Sequence, residues 1–200
     1  MRKSREDTQK TRDRIMTATS KLLRERGFDG FSISDLMGPL KLTNGGFYRH
    51  FDSKEALCIE ALSHGFTEAR AHLMAKTRTG PHSALRQLIH EYLSLNHLAN
   101  PGLGCPIAAL SADTGRASDT VQQTFDQELG QHIATFLPLM PGLSEAEQRR
   151  NVLVLFSGMA GALSTARAVS DPALKSEILD AALTHYIQSF CTEDSSTQRP

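Results

Sequence analysis

Apolar residues recur every three to five positions in run after run of this 200-residue chain, and proline and glycine fall mainly between the runs. Almost no stretch alternates with period two, so the pattern predicts an all-α fold of about nine helices. The first helix starts near Asp7 or Thr8, buries Ile15, Ala18, Thr19, Leu22 and Leu23, turns Arg12, Lys21 and Arg24 largely off that face, and stops at a left-handed Gly27. Ser32 caps a second helix, with Asp35 returning to the Ser32 amide. Pro39 pushes Gly38 out of the helical region and ends that helix near Met37.

Thr43 then opens a short helix, Ser53 opens a long one to about Lys76, and Thr79-Gly80-Pro81 marks a boundary. Five helices follow. One runs from Pro81 or His82 to Leu98, one from Pro106 to about Asp113 with Cys105 at its cap, and one from Ser118 to Leu137. The last two are capped by Ser144, with Glu147 in a capping box, and by Asp171. The predicted organisation is a first domain, 1–52; a connecting helix, 53–78; a second domain, 79–191; and a disordered tail, 192–200.

Net charge is zero, which alone argues against a nucleic-acid binder, but it is unevenly spread. Residues 1–60 carry 12 lysines and arginines against nine acids, about +3, and the rest of the chain offsets this. Three cysteines with no C-x-x-C spacing indicate neither a disulfide framework nor a zinc knuckle. No apolar segment follows Met1-Arg2-Lys3, and the run Val152 to Leu163 is too short for a bilayer, so a soluble, cytoplasmic protein is expected.

The stretch Thr43-Asn44-Gly45-Gly46-Phe47-Tyr48-Arg49-His50-Phe51 is an odd way to build a core helix. Small, hydroxylated and cationic groups gathered at a helix start suit close approach to a phosphate backbone and to base edges. Together with Gly27-Phe28, Phe31-Ser32-Ile33-Ser34-Asp35-Leu36 and Ser53-Lys54-Glu55-Ala56-Leu57, it resembles the DNA-binding domain of TetR-family transcriptional repressors over about Thr11 to Ala61. The resemblance implies a homodimer that binds double-stranded operator DNA through a helix-turn-helix and is released by a small-molecule inducer. Activation instead of repression is the alternative on the same fold. Where such proteins usually carry a small residue, this chain has Leu40 and Lys41 after an early Pro39. A left-handed Lys41 would be strained, and the bend is expected at Gly38.

Expected DNA-contacting residues are Ser32, Ser34, Thr43, Asn44, Gly45, Tyr48, Arg49, His50 and Lys54, with Phe47 and Phe51 as core. By position, the resemblance puts a ligand pocket among Phe66, Leu93, Asn96, His97, Cys105, Phe125 and Met159. It also implies a dimer interface from the last two helices through Val152, Phe156, Met159, Leu163, Leu179, Leu183, Tyr186 and Ile187, and Gly158 and Gly161 would allow close approach there. Cys105 at a helix start has a second reading as an electrophile or oxidant sensor. Neither H-x-x-x-H nor H-E-x-x-H occurs, and G-x-S-x-G, Walker and G-x-G-x-x-G motifs are missing. No metal, no cofactor and no catalytic site are therefore expected, and a helical enzyme or interaction module is a remote alternative.

Overall fold

The computed structural model describes residues 5–75 and 81–191, and the calls on Lys76, Thr79-Gly80 and the tail fall outside them. Among the described residues the fold is all helix: α1 (Arg5–Arg26), α2 (Ile33–Met37), α3 (Asn44–Phe47), α4 (Lys54–Ala75), α5 (Pro81–Tyr92), α6 (Leu95–Ala99), α7 (Pro106–Thr114), α8 (Asp119–Phe136), α9 (Glu145–Ala168) and α10 (Pro172–Phe190). Two 3₁₀ turns, Pro101–Leu103 and Leu137–Leu139, sit between them. No helix is long and apolar enough to cross a membrane.

The chain divides into two compact units, the first holding residues up to Ala69 with Asn100–Gly130, the second Arg70–Ala99 with the residues from Gln131 onward. In the first, α1 packs on α2, on α7 and on the Pro101–Leu103 turn, and α2 packs on α3. Ile15, Leu23, Leu36, Met37, Phe47, Leu57, Leu62 and Phe66 are at most 2% exposed and form its core. Gly27 ends α1 as expected, with φ +73 and its amide donating to the Leu23 carbonyl at 2.8 Å.

Arg24 is where the helical-wheel expectation fails. It is buried: Nε donates to the Ser20 carbonyl at 3.1 Å, Nη1 to the Gly104 carbonyl at 3.0 Å, and Nη2 to Glu68 Oε2 at 2.7 Å. A planar fork with several donors can satisfy three acceptors at once, which makes its burial tolerable.

In the second unit, α9 and α10 form an antiparallel pair, α5 packs on α10, and α6 packs on α9. Here α5 ends at Tyr92, earlier than expected, because Ser94 caps a new short helix: its hydroxyl accepts from the His97 amide at 3.1 Å. The five-residue α6 is the element by which the structure exceeds nine helices. Tyr92 and His132 each meet Phe156 edge to face, at 5.8 and 4.5 Å between ring centroids, and Phe136 lies tilted against His132 and Phe156 at 4.7 and 5.0 Å.

Burial pushes the His132 imidazole down to about 3, helped by the nearby Arg70 charge. His97 is pushed down to about 4, again by burial, against the upward pull of the Tyr92 carbonyl 2.7 Å from Nδ1. Both rings therefore fold neutral, with values below the unfolded one of about 6.5. Their contribution to stability is complete above that pH and is lost as pH falls toward the folded values. The thermal midpoint is expected to drop on acidification below about pH 6.5, and less steeply in His132→Leu. Parallel acid profiles for the two proteins would contradict this.

Candidate nucleic-acid interface

The surface is built by two capped turns. Ser32 accepts from the Asp35 amide at 3.1 Å while Asp35 Oδ2 accepts from the Ser32 amide at 2.8 Å, so the capping box read from sequence closes on α2. The Ser32 hydroxyl, donating to Asp35 Oδ2 at 2.7 Å, and then the Ser32 amide hold the Asp35 carboxyl below its usual range. Thr43 caps α3, its Oγ1 accepting from the Gly46 amide at 3.2 Å. The helix itself is only four residues, and Tyr48–His50 continue as a turn tied by the His50 amide to the Phe47 carbonyl at 2.9 Å.

Phe47 (0% exposed) and Phe51 (4%) point into the core with ring centroids 5.7 Å apart. That leaves Thr43, Asn44, Gly45, Tyr48 and Arg49 exposed and His50 half-buried. Tyr48 is 63% exposed although its ring edge meets Phe47 at 5.1 Å, so its hydroxyl faces solvent from a supported ring. Nothing lies within 4 Å of where a Cβ on Gly45 would stand. The first turn of α3 therefore presents bare backbone.

Asn44 Nδ2 donates to Ser34 Oγ at 2.8 Å, tying α3 to α2. One amide hydrogen and Oδ1 remain, which is the pair needed to meet an adenine edge. Lys54 departs from the expected outward role. Its Nζ donates to the Phe28 carbonyl at 2.7 Å and sits 4.5 Å from the centre of the Phe31 ring, so it pins the α1–α2 loop. Much of the amino-terminal charge is held similarly: Arg12 pairs with Glu60 and stacks on Phe51, and Arg14 donates to the Leu40 carbonyl.

Gly38 does not absorb the bend. It stays right-handed at φ −56, ψ −56, since a glycine lacks the Cβ that would clash with the following proline ring, and it still caps α2. The left-handed residue is Lys41, at φ 58, the one non-glycine with positive φ among the described residues.

The expected ligand residues are divided between the two units. Phe66, Cys105 and Phe125 belong to the first unit, where Phe66 and Phe125 meet edge to face at 5.4 Å, and Leu93, Asn96, His97 and Met159 belong to the second. Leu93 and Met159 are buried, Asn96 is exposed and His97 is half-buried. Cys105 stands at the α7 start but is 3% exposed, with no side-chain capping bond. A pocket of about 310 Å³ in the first unit is lined by residues including Phe28, Lys54, Cys58 and Val121. The Cys58 thiol there is raised to about 11 by burial, which keeps it protonated. Among the described residues no group of three or more His, Cys, Asp or Glu could hold a metal ion.

The dimer residues also need correcting. Val152, Phe156, Met159, Leu163 and Leu179 are at most 3% exposed within the single chain, so they are its own core and offer no surface to a second copy. Gly158 likewise serves the chain itself: a Cβ there would overlap the Tyr186 hydroxyl of α10, whereas Gly161 faces open space. What α9 and α10 leave outward is Leu153 (40% exposed), Val154 (54%) and Leu174 (41%), with Leu183, Tyr186 and Ile187 half-buried.

Residues 15–61 match the family model described as bacterial regulatory proteins, tetR family. The chain is 23% identical over 167 residues to an uncharacterised HTH-type transcriptional regulator from Lactococcus lactis subsp. lactis, covering 80% of this chain and 85% of that protein. It is 26% identical over 120 residues to the HTH-type transcriptional repressor NemR of Escherichia coli K12, covering 58% of this chain and 60% of NemR. The fold superposes on the reduced form of E. coli NemR with a TM-score of 0.77 at 22% identity, over 92% of this chain and 99% of that one.

Proposed function

Because this chain belongs to the TetR family of bacterial transcriptional regulators, and is a regulator and not an enzyme, we propose that it is a ligand-responsive repressor that binds operator DNA as a homodimer. The observation that carries the reading is the α3 surface: Thr43, Asn44, Tyr48 and Arg49 exposed around a bare Gly45, on a helix fixed from beneath by Phe47 and Phe51. Hydroxyls, an amide, a guanidinium and free backbone make a set suited to phosphates and base edges in a major groove. Ser32 and Ser34 at the start of α2, and His50, extend it.

In this reading residues 1–52 bind DNA, 53–78 connect, and 79–191 hold the inducer and the dimer contacts. The outward Leu153, Val154 and Leu174, with Leu183, Tyr186 and Ile187, supply the apolar surface for the second copy. Two recognition helices must match two half-sites, and an inducer that favours a different spacing lowers affinity. Inducer and operator then weaken each other by the same factor. The buried setting of Cys105 gives the sensor alternative less support than the ligand reading.

Gly45→Ala tests the reading directly. The added methyl meets nothing in the protein, so the melting temperature is expected to hold or rise slightly, as alanine favours helix by up to about 1 kcal/mol. Binding to the DNA upstream of the chain's own gene is expected to fall at least about tenfold in a gel shift, because the methyl stands where backbone must approach the duplex. Undiminished binding by a normally folded Gly45→Ala would remove α3 from the interface.

A further inference from the structure

We propose that Lys41 grips a DNA backbone phosphate from the turn between α2 and α3, a role that rests on the DNA-binding reading and that the sequence pattern did not assign. The helix-turn-helix segment from Ile33 to Lys54 carries three cations: Lys41, Arg49 and Lys54. Lys54 is tied to the Phe28 carbonyl and the Phe31 ring. That leaves Lys41 and Arg49, both exposed, as the cations of this segment whose side chains have no hydrogen-bond or ion-pair partner among the described residues. Phosphate neutralisation supplies most of the sequence-independent affinity of a DNA binder. Here the fold has drawn Arg12, Arg14 and Lys54 into internal contacts, so two positions must carry it on this segment.

The backbone at Lys41 adds a second, independent observation. With φ at 58 it occupies a conformation that a glycine would hold without strain. The turn is nevertheless well made: the Lys41 amide donates to the Gly38 carbonyl at 2.9 Å, the Leu42 amide to the Met37 carbonyl at 3.0 Å, and Arg14 holds the Leu40 carbonyl at 3.2 Å. Among the described residues no hydrogen bond, ion pair or ring contact of its side chain calls for a lysine at this point. A strained residue in an over-determined turn, carrying an exposed charge just ahead of the α3 cap, fits a ligand-facing role. Its four-carbon stem and point charge suit a phosphate and are poorly suited to reading a base.

Fold and binding should then respond in opposite directions to one substitution. Lys41→Gly is expected to raise the melting temperature, through release of strain, and to weaken DNA binding. Titrations across a salt series, on the upstream duplex and on a random-sequence duplex of equal length, should show the log-log salt slope shallower by about 0.9 per protomer on both. Lys41→Gln should lose the same slope without the gain in stability, and Lys41→Arg should keep the slope. If the unaltered protein binds with a steep slope and both neutral variants retain it, Lys41 is not a phosphate contact. A loss confined to the upstream duplex would equally overturn the assignment, since it indicates base reading. If the unaltered protein binds neither duplex, the DNA-binding reading and the Lys41 role fall together.

Discussion

Phe47→Ala is expected to destabilise the first unit by about 3–5 kcal/mol, the usual cost of emptying a fully buried phenylalanine site. The ring is 0% exposed and touches Tyr48 and Phe51, so its loss opens a cavity directly beneath the four-residue α3. So short a helix has almost no stability of its own and stays formed because its one buried side chain is packed. Operator binding should fall with it, although Phe47 itself touches no DNA. Tyr48→Ala is the matched control: that side chain is 63% exposed, so stability should change little while binding weakens. The comparison separates support from contact by denaturant titration and gel shift on the same proteins. A Phe47→Ala protein with near-normal stability would mean that α3 is held by something other than this ring.

Arg24→Ala should cost about 3 kcal/mol, and the source of that cost is specific. The guanidinium side chain is 2% exposed, but its acid partner Glu68 is 39% exposed, so solvent screens the ion pair and the charge interaction is a minor part. The larger part is the void and the Gly104 carbonyl left without its donor, in a turn that packs on α1. Arg24→Lys is expected to recover less than half of the loss, because one ammonium cannot reach the Ser20 carbonyl, the Gly104 carbonyl and Glu68 together. Full recovery by lysine would show that only the charge matters. Glu68→Gln should be the mildest of the three, since its pair is the screened one.

What could be read in the sequence was mostly local. Caps were legible because the bond they make lies within three residues: Ser32 with Asp35, Thr43 with Gly46 and Asp171 with Ala173 close as the sequence implied. At Ser144 only half of the expected box forms, since the Glu147 carboxylate accepts from the Leu143 amide and not from that of Ser144. The division of Thr43 to Phe51 into an inward pair of phenylalanines and an outward polar set was legible too, since helical spacing alone fixes it. The all-α class, and the segment that matches the tetR family model over residues 15–61, were readable for the same reason: both rest on short-range patterns.

Failures came where a distant part of the chain decides. Arg24 looked like a surface residue on α1 until Gly104, 80 positions on, supplied an acceptor. Lys54 looked like a phosphate ligand until Phe28 and Phe31 lay beside it. On α9, apolar residues filled a wide arc, and nothing in the pattern separates a face buried in the chain's own core from one offered to a second copy. Val152, Phe156, Met159 and Leu163 proved to be the former. Ser94 was a different kind of miss, because a cap signal was present within an apolar run and was outweighed by the periodicity around it.

The fit of Tyr186 against Gly158 has a consequence for how this chain can vary over descent. The phenol oxygen on α10 stands where a Cβ on α9 would be, so a side chain at position 158 requires the half-buried Tyr186 ring to swing aside or to be shortened. The two positions are therefore coupled over descent, and the order of change has a bias: shortening the tyrosine first leaves a gap at a partly exposed site, whereas enlarging the glycine first displaces the ring.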